Sequence, residues 1–186
     1  MRSDYFTPTQ AFDKFLTQYR YSRMFKALKQ FNHIKEVYDL GCGSGQLVQL
    51  LCEQGYDAYG IDVKSDQRII AADLNNTLPL PDESVDLITS LANIEHLEKP
   101  LFNLHEIYRV LRKEGVLILT TPSTAAKPIL EFLAYKLKWI NETEIRDHKI
   151  YFSKKLLAHY LQKVGFHQFQ VKRFQMGLNL HAIAIK

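Results

Sequence analysis

A chain of 186 residues with 46% hydrophobic residues, two cysteines and a net charge of +4 holds enough apolar material for one proper core without disulfide staples. Its apolar runs are far too short for a membrane span, and the opening MRSDYFTPTQ has neither a basic cap nor an apolar stretch behind it, so a cytoplasmic protein with no membrane segment is expected. Cys42 and Cys52 are ten apart and match no metal-ligand spacing, which points to free thiols and no bound metal. The charge is uneven: residues 1 to 38 carry seven Lys/Arg against three Asp/Glu, 39 to 126 six against thirteen, and 127 to 186 eleven against four. Solvated surface accounts for such a pattern, and a cationic ligand in the middle with an anionic substrate at the flanks accounts for it as well.

In chain order, TPTQ opens a helix, with Thr7 as N-cap, Pro8 at the first helical position and Gln10 placed to close a capping box. An apolar stripe through Phe12, Phe15, Leu16 and Tyr19 slips in phase near Tyr21 and resumes at Met24, Phe25, Leu28 and Phe31, which predicts two short helices or one kinked one. Runs at about 35–40, 58–62, 68–72, 85–90 and 115–121 read as buried strands. Between them QLVQLLCEQG is a helix closed by Gly55, and KPLFNLHEIYRVLRKEG a helix opened by Pro100 and closed by Gly115. A helix is expected around Ile129 to Trp139, then the polar stretch NETEIRDHK, the best candidate for a substrate-facing segment. Ser153 caps a last helix ended by Gly165, and strands near Gln168–Phe174 and Leu180–Ile185 should pair as a hairpin. The alternation predicts a single α/β domain over 1–186, with a helical cover (1–33), a ligand-binding core (34–121), the substrate-facing segment (122–152) and a terminal helix and hairpin (153–186).

In such sheets ligands bind beyond the C-terminal strand ends, and four of these ends carry chemistry. The first gives Asp39-Leu40-Gly41-Cys42-Gly43-Ser44-Gly45, a glycine loop that lets backbone approach a ligand closely. A dinucleotide fingerprint needs glycine where Gln46 stands, and a phosphate-binding P-loop needs a lysine that is absent. Asp62, after the second strand, is placed to accept from the two hydroxyls of a ribose, and Asp73, after the third, from an exocyclic adenine amine. The fourth is followed by Ser90, Leu91 and Asn93, then Glu95 and His96.

The succession VYDLGCGSG, YGIDV, AADLNNTLPLPDESVDLI, LANIEHLEKP, EIYRVLRKEGVLILTTPS and HKIYFSKKLLAHYLQKVGF resembles the class I S-adenosylmethionine-dependent methyltransferases, in particular the small-molecule branch that includes ubiquinone-type O-methyltransferases. The resemblance runs from about Val37 to Phe166. It implies a Rossmann-like three-layer α/β sandwich with a seven-stranded, mostly parallel sheet whose last strand is antiparallel. By similarity S-adenosylmethionine is the cofactor: Asp39 and the backbone of Gly41 and Gly43 would hold its methionine part, Asp62 the ribose hydroxyls, Asp73 and the Leu74 backbone the adenine, and the Leu91 carbonyl the amino acid end, with Cys42, Gly45 and Val63 in the same cofactor site. That ligand has no phosphate and carries a positive sulfonium, which suits both the loop and the acidic middle segment. One departure stands out: Asp73 follows Asp62 by only eleven positions, where the family fits a helix.

Methyl transfer needs alignment and at most one general base. Of the seven histidines, His96, beside the fourth strand end, and His148, in RDHKIYF, are the candidates. Trp139 and Tyr135 either line the pocket or pack their helix. The expected partner is a small-molecule acceptor, of anionic character if the basic flanks face it, methylated at oxygen. RNA or protein as acceptor is the rival reading; against nucleic acid, the basic residues are interleaved with apolar ones rather than clustered. A non-catalytic relative serving as a binding subunit is the third. Oligomeric state is not legible.

Overall fold

The structure, a computed structural model, describes residues 8–186, with only the backbone described for residues 8–13 and Glu144. The capping box expected at Thr7 and Gln10 therefore lies outside the described residues. Helix α1 (Pro8–Leu28) is continuous, in place of the two helices or kinked helix expected. Then come β1 (Glu36–Leu40), α2 (Gln46–Glu53), β2 (Asp57–Asp62), β3 (Ile69–Ala71), β4 (Val85–Leu91), a 3-10 turn at Ile94–His96, α3 (Pro100–Val110), β5 (Leu111–Pro122), α4 (Lys127–Tyr135), α5 (Glu142–Arg146), α6 (Lys154–Val164), β6 (Gln168–Phe174) and β7 (Asn179–Ile185). The seven strands form one sheet in the order β3-β2-β1-β4-β5-β7-β6. β1 to β5 run parallel, and β7 is antiparallel to both β5 and β6, which confirms the expected sheet and terminal hairpin.

Alternation along each strand sorts side chains to the two faces. On one, Val37, Ala58, Leu87, Val116 and Ile118 pack under Met24, Ala27 and Leu28 of α1 and Leu47, Val48 and Leu51 of α2. On the other, Leu40, Ile61, Ile88, Leu117 and Leu119 pack under Leu104, Ile107 and Val110 of α3 and Leu157, Leu161 and Val164 of α6. Helix α3 ends at Val110 rather than at Gly115, because Leu111 turns extended and pairs with Val85 on β4. The residues up to Gly115 then bulge out, with Glu114 at φ 63°, before Val116 rejoins the ladder opposite Leu87. Helix α6 has the expected ends: Ser153 Oγ accepts from the Leu156 amide at 3.1 Å, and Gly165 has φ 122° with Tyr108 pressed where a Cβ would sit. No helix among the described residues is long and apolar enough to cross a membrane.

Between β3 and β4 the chain has no ladder of its own and is held by α3. The Arg109 guanidinium donates to the carbonyls of Leu78 and Leu80, to Asp82 and to Glu106, and Glu106 also accepts from the Leu78 amide. The Arg109 fork holds the Glu106 carboxyl below its ordinary range. Arg109→Ala would leave these acceptors without their donor, and urea unfolding should show a loss of about 2–3 kcal/mol. Arg109→Lys restores the charge without the fork, and should recover only part of that loss.

Candidate functional site

β1 lies where the strand order reverses, with β2 and β3 to one side and β4 and β5 to the other, so a crevice opens beyond its end. Asp39, near that end, is 5% exposed and accepts from the Thr89 hydroxyl of β4 at 2.7 Å. Burial is the main force on it, raising its pKa to about 7 against the Thr89 hydrogen bond, with the Asp62 charge adding to the rise. After it the loop takes left-handed backbone at Gly41, Gly43 and Gly45, with φ of 72°, 54° and 75°. A Cβ on Gly41 would lie 2.4 Å from Asn93 Oδ1, so this glycine is required twice over, by its backbone and by its neighbour. Asp62 fixes the loop from β2: its carboxylate accepts from the Gly43 amide at 2.9 Å and from the Val63 amide at 2.7 Å.

A cavity of about 220 Å³ sits above this crevice. Asp39, Gly41, Cys42, Leu91, His96 and His148 all line it, so the structure brings these six expected residues together. Its other walls come from α1, through Leu16, Thr17, Arg20 and Tyr21, and from Leu130, Ile140, Asn141 and Ile145 of the segment after β5. Gly43 and Gly45, in the loop from β1 to α2, and Asp62, Val63, Asp73 and Leu74, at or just beyond the β2 and β3 ends, lie outside the lining. Asp73 accepts from Asn75 and Asn76, whose side chains and one backbone amide hold both carboxylate oxygens. The Leu74 carbonyl accepts from Asn103 of α3, and Val63 is exposed. Cys42 is a free thiol, as is Cys52; burial, with the Asp39 and Asp62 charges behind it, pushes Cys42 up to about 12, which makes it no nucleophile. Trp139 and Tyr135 are exposed and outside this cavity.

The two histidines come from distant segments and meet edge to face, ring centroids 4.7 Å apart. His96 Nδ1 lies 3.3 Å from Asp147 Oδ2. His148 is half-buried and its Nδ1 has no hydrogen-bond partner among the described residues; burial first, then the neighbouring His96, lower its pKa to about 4, so it is neutral at pH 7. Beside them sits a carboxylate that residue types alone do not single out. Glu95 is 1% exposed, its Oε2 accepts from Thr121 at 3.0 Å, and burial raises its pKa. Its backbone carbonyl accepts from the Lys149 and Ile150 amides, which ties the His148 segment to the end of β4. The sequence places Glu95 beside His96 after the fourth strand, but nothing in LANIEHLEKP shows that its carboxylate is buried.

Comparison with known proteins agrees with this geometry. Residues 38–119 match the model of the methyltransferase domain family. A malonyl-[acyl-carrier protein] O-methyltransferase of a Marinomonas species is 30% identical over 117 residues, covering 55% of this chain and 43% of that protein. A ubiquinone biosynthesis O-methyltransferase of Actinobacillus pleuropneumoniae is 26% identical over 112 residues, covering 50% of this chain and 48% of that protein. The chain thus spans less than half the length of these curated relatives. A crystal structure of an S-adenosylmethionine-dependent methyltransferase from Archaeoglobus fulgidus superposes with a TM-score of 0.73 at 18% identity, covering 91% of this chain and 94% of that one. Residues 38–119 thus carry the signature of a methyltransferase domain, and the fold around them is that of S-adenosylmethionine-dependent methyltransferases. The cofactor of that family is S-adenosylmethionine, and the site fits it: a buried acid and a close-approach backbone face a cationic, phosphate-free ligand.

Because Asp39 titrates at about 7 in the fold and near 3.9 in an unfolded chain, its uncharged form favours folding. That contribution is complete below about pH 4 and is lost as pH rises through 7. Urea unfolding from pH 4 to 8 should therefore show the wild type losing stability relative to Asp39→Asn, by at most about 1.4 kcal/mol per pH unit. Equal slopes for the two would place the titration elsewhere.

Proposed function

We propose that this chain transfers a methyl group from S-adenosylmethionine to an oxygen of a small-molecule acceptor. The observation that carries the reading is the cavity in which the buried Asp39 and the Gly41 loop face the His96–His148 pair. The names of the two curated relatives, both O-methyltransferases, support oxygen as the atom methylated. On this reading residues 1–186 act as one domain, with α1 covering the cofactor-binding core and residues 122–152 facing the acceptor.

Asp39 and the backbone of Gly41, Cys42 and Gly43 hold the methionine end, with the Leu91 carbonyl at its amino acid and Gly45 opening α2. Asp62, already oriented by two backbone amides, accepts from the ribose hydroxyls through its remaining lone pairs. Val63 packs at the ribose, and Asp73 and Leu74 meet the adenine, Asp73 being the weaker partner because Asn75 and Asn76 already share its oxygens. When bound, the cofactor supplies a methyl carbon whose bond to sulfur breaks as the acceptor oxygen bonds to it, leaving a neutral thioether and a methyl ether. The remaining task is to take the acceptor proton. His96 is the better base, held by Asp147 through Nδ1, while a His148 titrating near 4 binds protons too weakly to help. The basic balance of residues 127–186, eleven Lys/Arg against four Asp/Glu, favours an acceptor bearing an acidic group. A macromolecular acceptor finds less support: of the basic residues near the mouth, Arg146 pairs with Glu142 and covers Tyr135.

S-adenosylmethionine at a hundredfold excess over its dissociation constant should stabilise the fold by about 2.7 kcal/mol, readable as a shift of the melt. Asp62→Ala should weaken cofactor binding at least tenfold in calorimetry. If neither the cofactor nor its demethylated product binds the wild type, the proposal is wrong. Labelled methyl transfer into fractionated extract should reach small molecules; label confined to RNA or protein would transfer the assignment to that class.

A further inference from the structure

We infer that Glu95, His96 and His148 form a binding site for one divalent transition-metal ion on the floor of the acceptor cavity. One donor atom from each lies within 4.8 Å of the others. Around an ion with bonds of 2.0–2.2 Å such donors stand about 3.4 Å apart, so side-chain rotation has to close little more than an ångström. Several features of the three residues are those of ligands. Asp147 at His96 Nδ1 fixes the tautomer that leaves Nε2 with its lone pair, the usual outer partner of a metal-bound imidazole. His148 Nδ1 is buried and has no hydrogen-bond partner among the described residues, as a nitrogen kept for a ligand would be. The Glu95 carboxylate is buried, and the Thr121 hydroxyl donates to its Oε2, which orients it as an outer partner would.

Two imidazoles and one carboxylate suit zinc, iron(II), cobalt(II) or manganese(II) rather than magnesium or calcium. Three protein ligands leave open positions toward the cavity, as in catalytic rather than structural sites. The site deepens the proposed function and rests on it only for its role. A hydroxyl oxygen of the acceptor, bound to the ion, loses its proton to solvent. Its lone pair then forms the C–O bond as the methyl carbon–sulfur bond of the cofactor breaks. His96 then serves as a ligand, and the ion takes over the work otherwise assigned to a base.

The test is titration of the full chain, stripped with chelator, with zinc, manganese and magnesium by calorimetry and with cobalt by its visible absorption. Expected is saturation at one transition-metal ion per chain, with magnesium much weaker. His148→Ala and His96→Ala should each lose at least tenfold in affinity, and the surface variant His159→Ala none. Glu95→Gln, which keeps the shape and an acceptor for Thr121, guards against a merely unfolded alanine variant and should also weaken the ion. No saturable binding, or binding undiminished in His148→Ala and Glu95→Gln, would overturn the site. Cofactor affinity measured on the same samples separates the two proposals. Cofactor binding without metal removes only the metal site, and metal binding without cofactor removes only the methyl-transfer reading.

Discussion

The carboxylate of Asp39, buried where the sheet reverses its strand order, is the constraint on which the rest of the site depends. Among the described residues no cation pairs with it, and Thr89 supplies its one hydrogen bond. A lone acid in that position weakens the fold at neutral pH, since desolvation disfavours its charge. A positively charged ligand group entering the crevice would reverse that balance, so the same feature that lowers stability creates affinity. The glycine loop is a consequence: backbone must pass close to the acid and then open α2, which left-handed conformations at Gly41 and Gly45 permit.

The sheet was legible because its strands announce themselves by apolar runs and by the acids, glycines and polar residues in the turn at the end of each. α1 was not, and the reason lies in its phase slip. Met24, Ala27 and Leu28 face the core, while Leu16, Arg20 and Tyr21 face the cavity. Tyr19 leaves both faces to stack on Phe174 of the terminal hairpin. A helix that serves three surfaces has no single stripe, and periodicity alone reads it as broken. The end of α3 departs from expectation for a related reason. Leu111 continues the helical stripe, yet its pairing with Val85 adds a rung to the central sheet, and tertiary context decides between the two. The glycine loop and its two acids could be read from residue types at strand ends. Glu95 could not, because its burial is created by Thr121 and by a segment fifty residues on.

The short path from Asp62 to Asp73 has a structural answer. With no helix to cover the end of the sheet, Tyr38 and Tyr59 stack with ring centroids 5.4 Å apart, and the Arg68 guanidinium lies over Tyr59 at 5.1 Å. Arg68 itself stands at φ 61° and donates to Asp57 and to the Ala58 carbonyl, so strained backbone is retained by a cation–π and ion-pair clasp. Two rings and a guanidinium thus do at the sheet edge what a helix would do, with far fewer residues. The cover is thin, and it leaves the Asp73 turn to stiffen itself through Asn75 and Asn76.

The two halves of the cavity are built on different principles. The half around Asp39 stands on the end of β1, which is paired on one side with β2 and on the other with β4. The other half is closed by residues 123–152, which are tied to the frame from Ser123 to Gly177 and Leu178, from the Lys149 and Ile150 amides to the Glu95 carbonyl and from Asp147 to His96. Between those anchors α4 and α5 can change their side chains without disturbing the sheet. Glu95 is the hinge of this division, since its backbone holds the variable segment while its side chain is turned inward to Thr121 and the histidines. A substitution there would therefore act on the shape of the cavity and on the placement of His148 together, whereas one at Leu130 or Ile145 would alter the wall of the cavity alone. Acceptor preference in such an arrangement can diverge while the crevice around Asp39 stays the same.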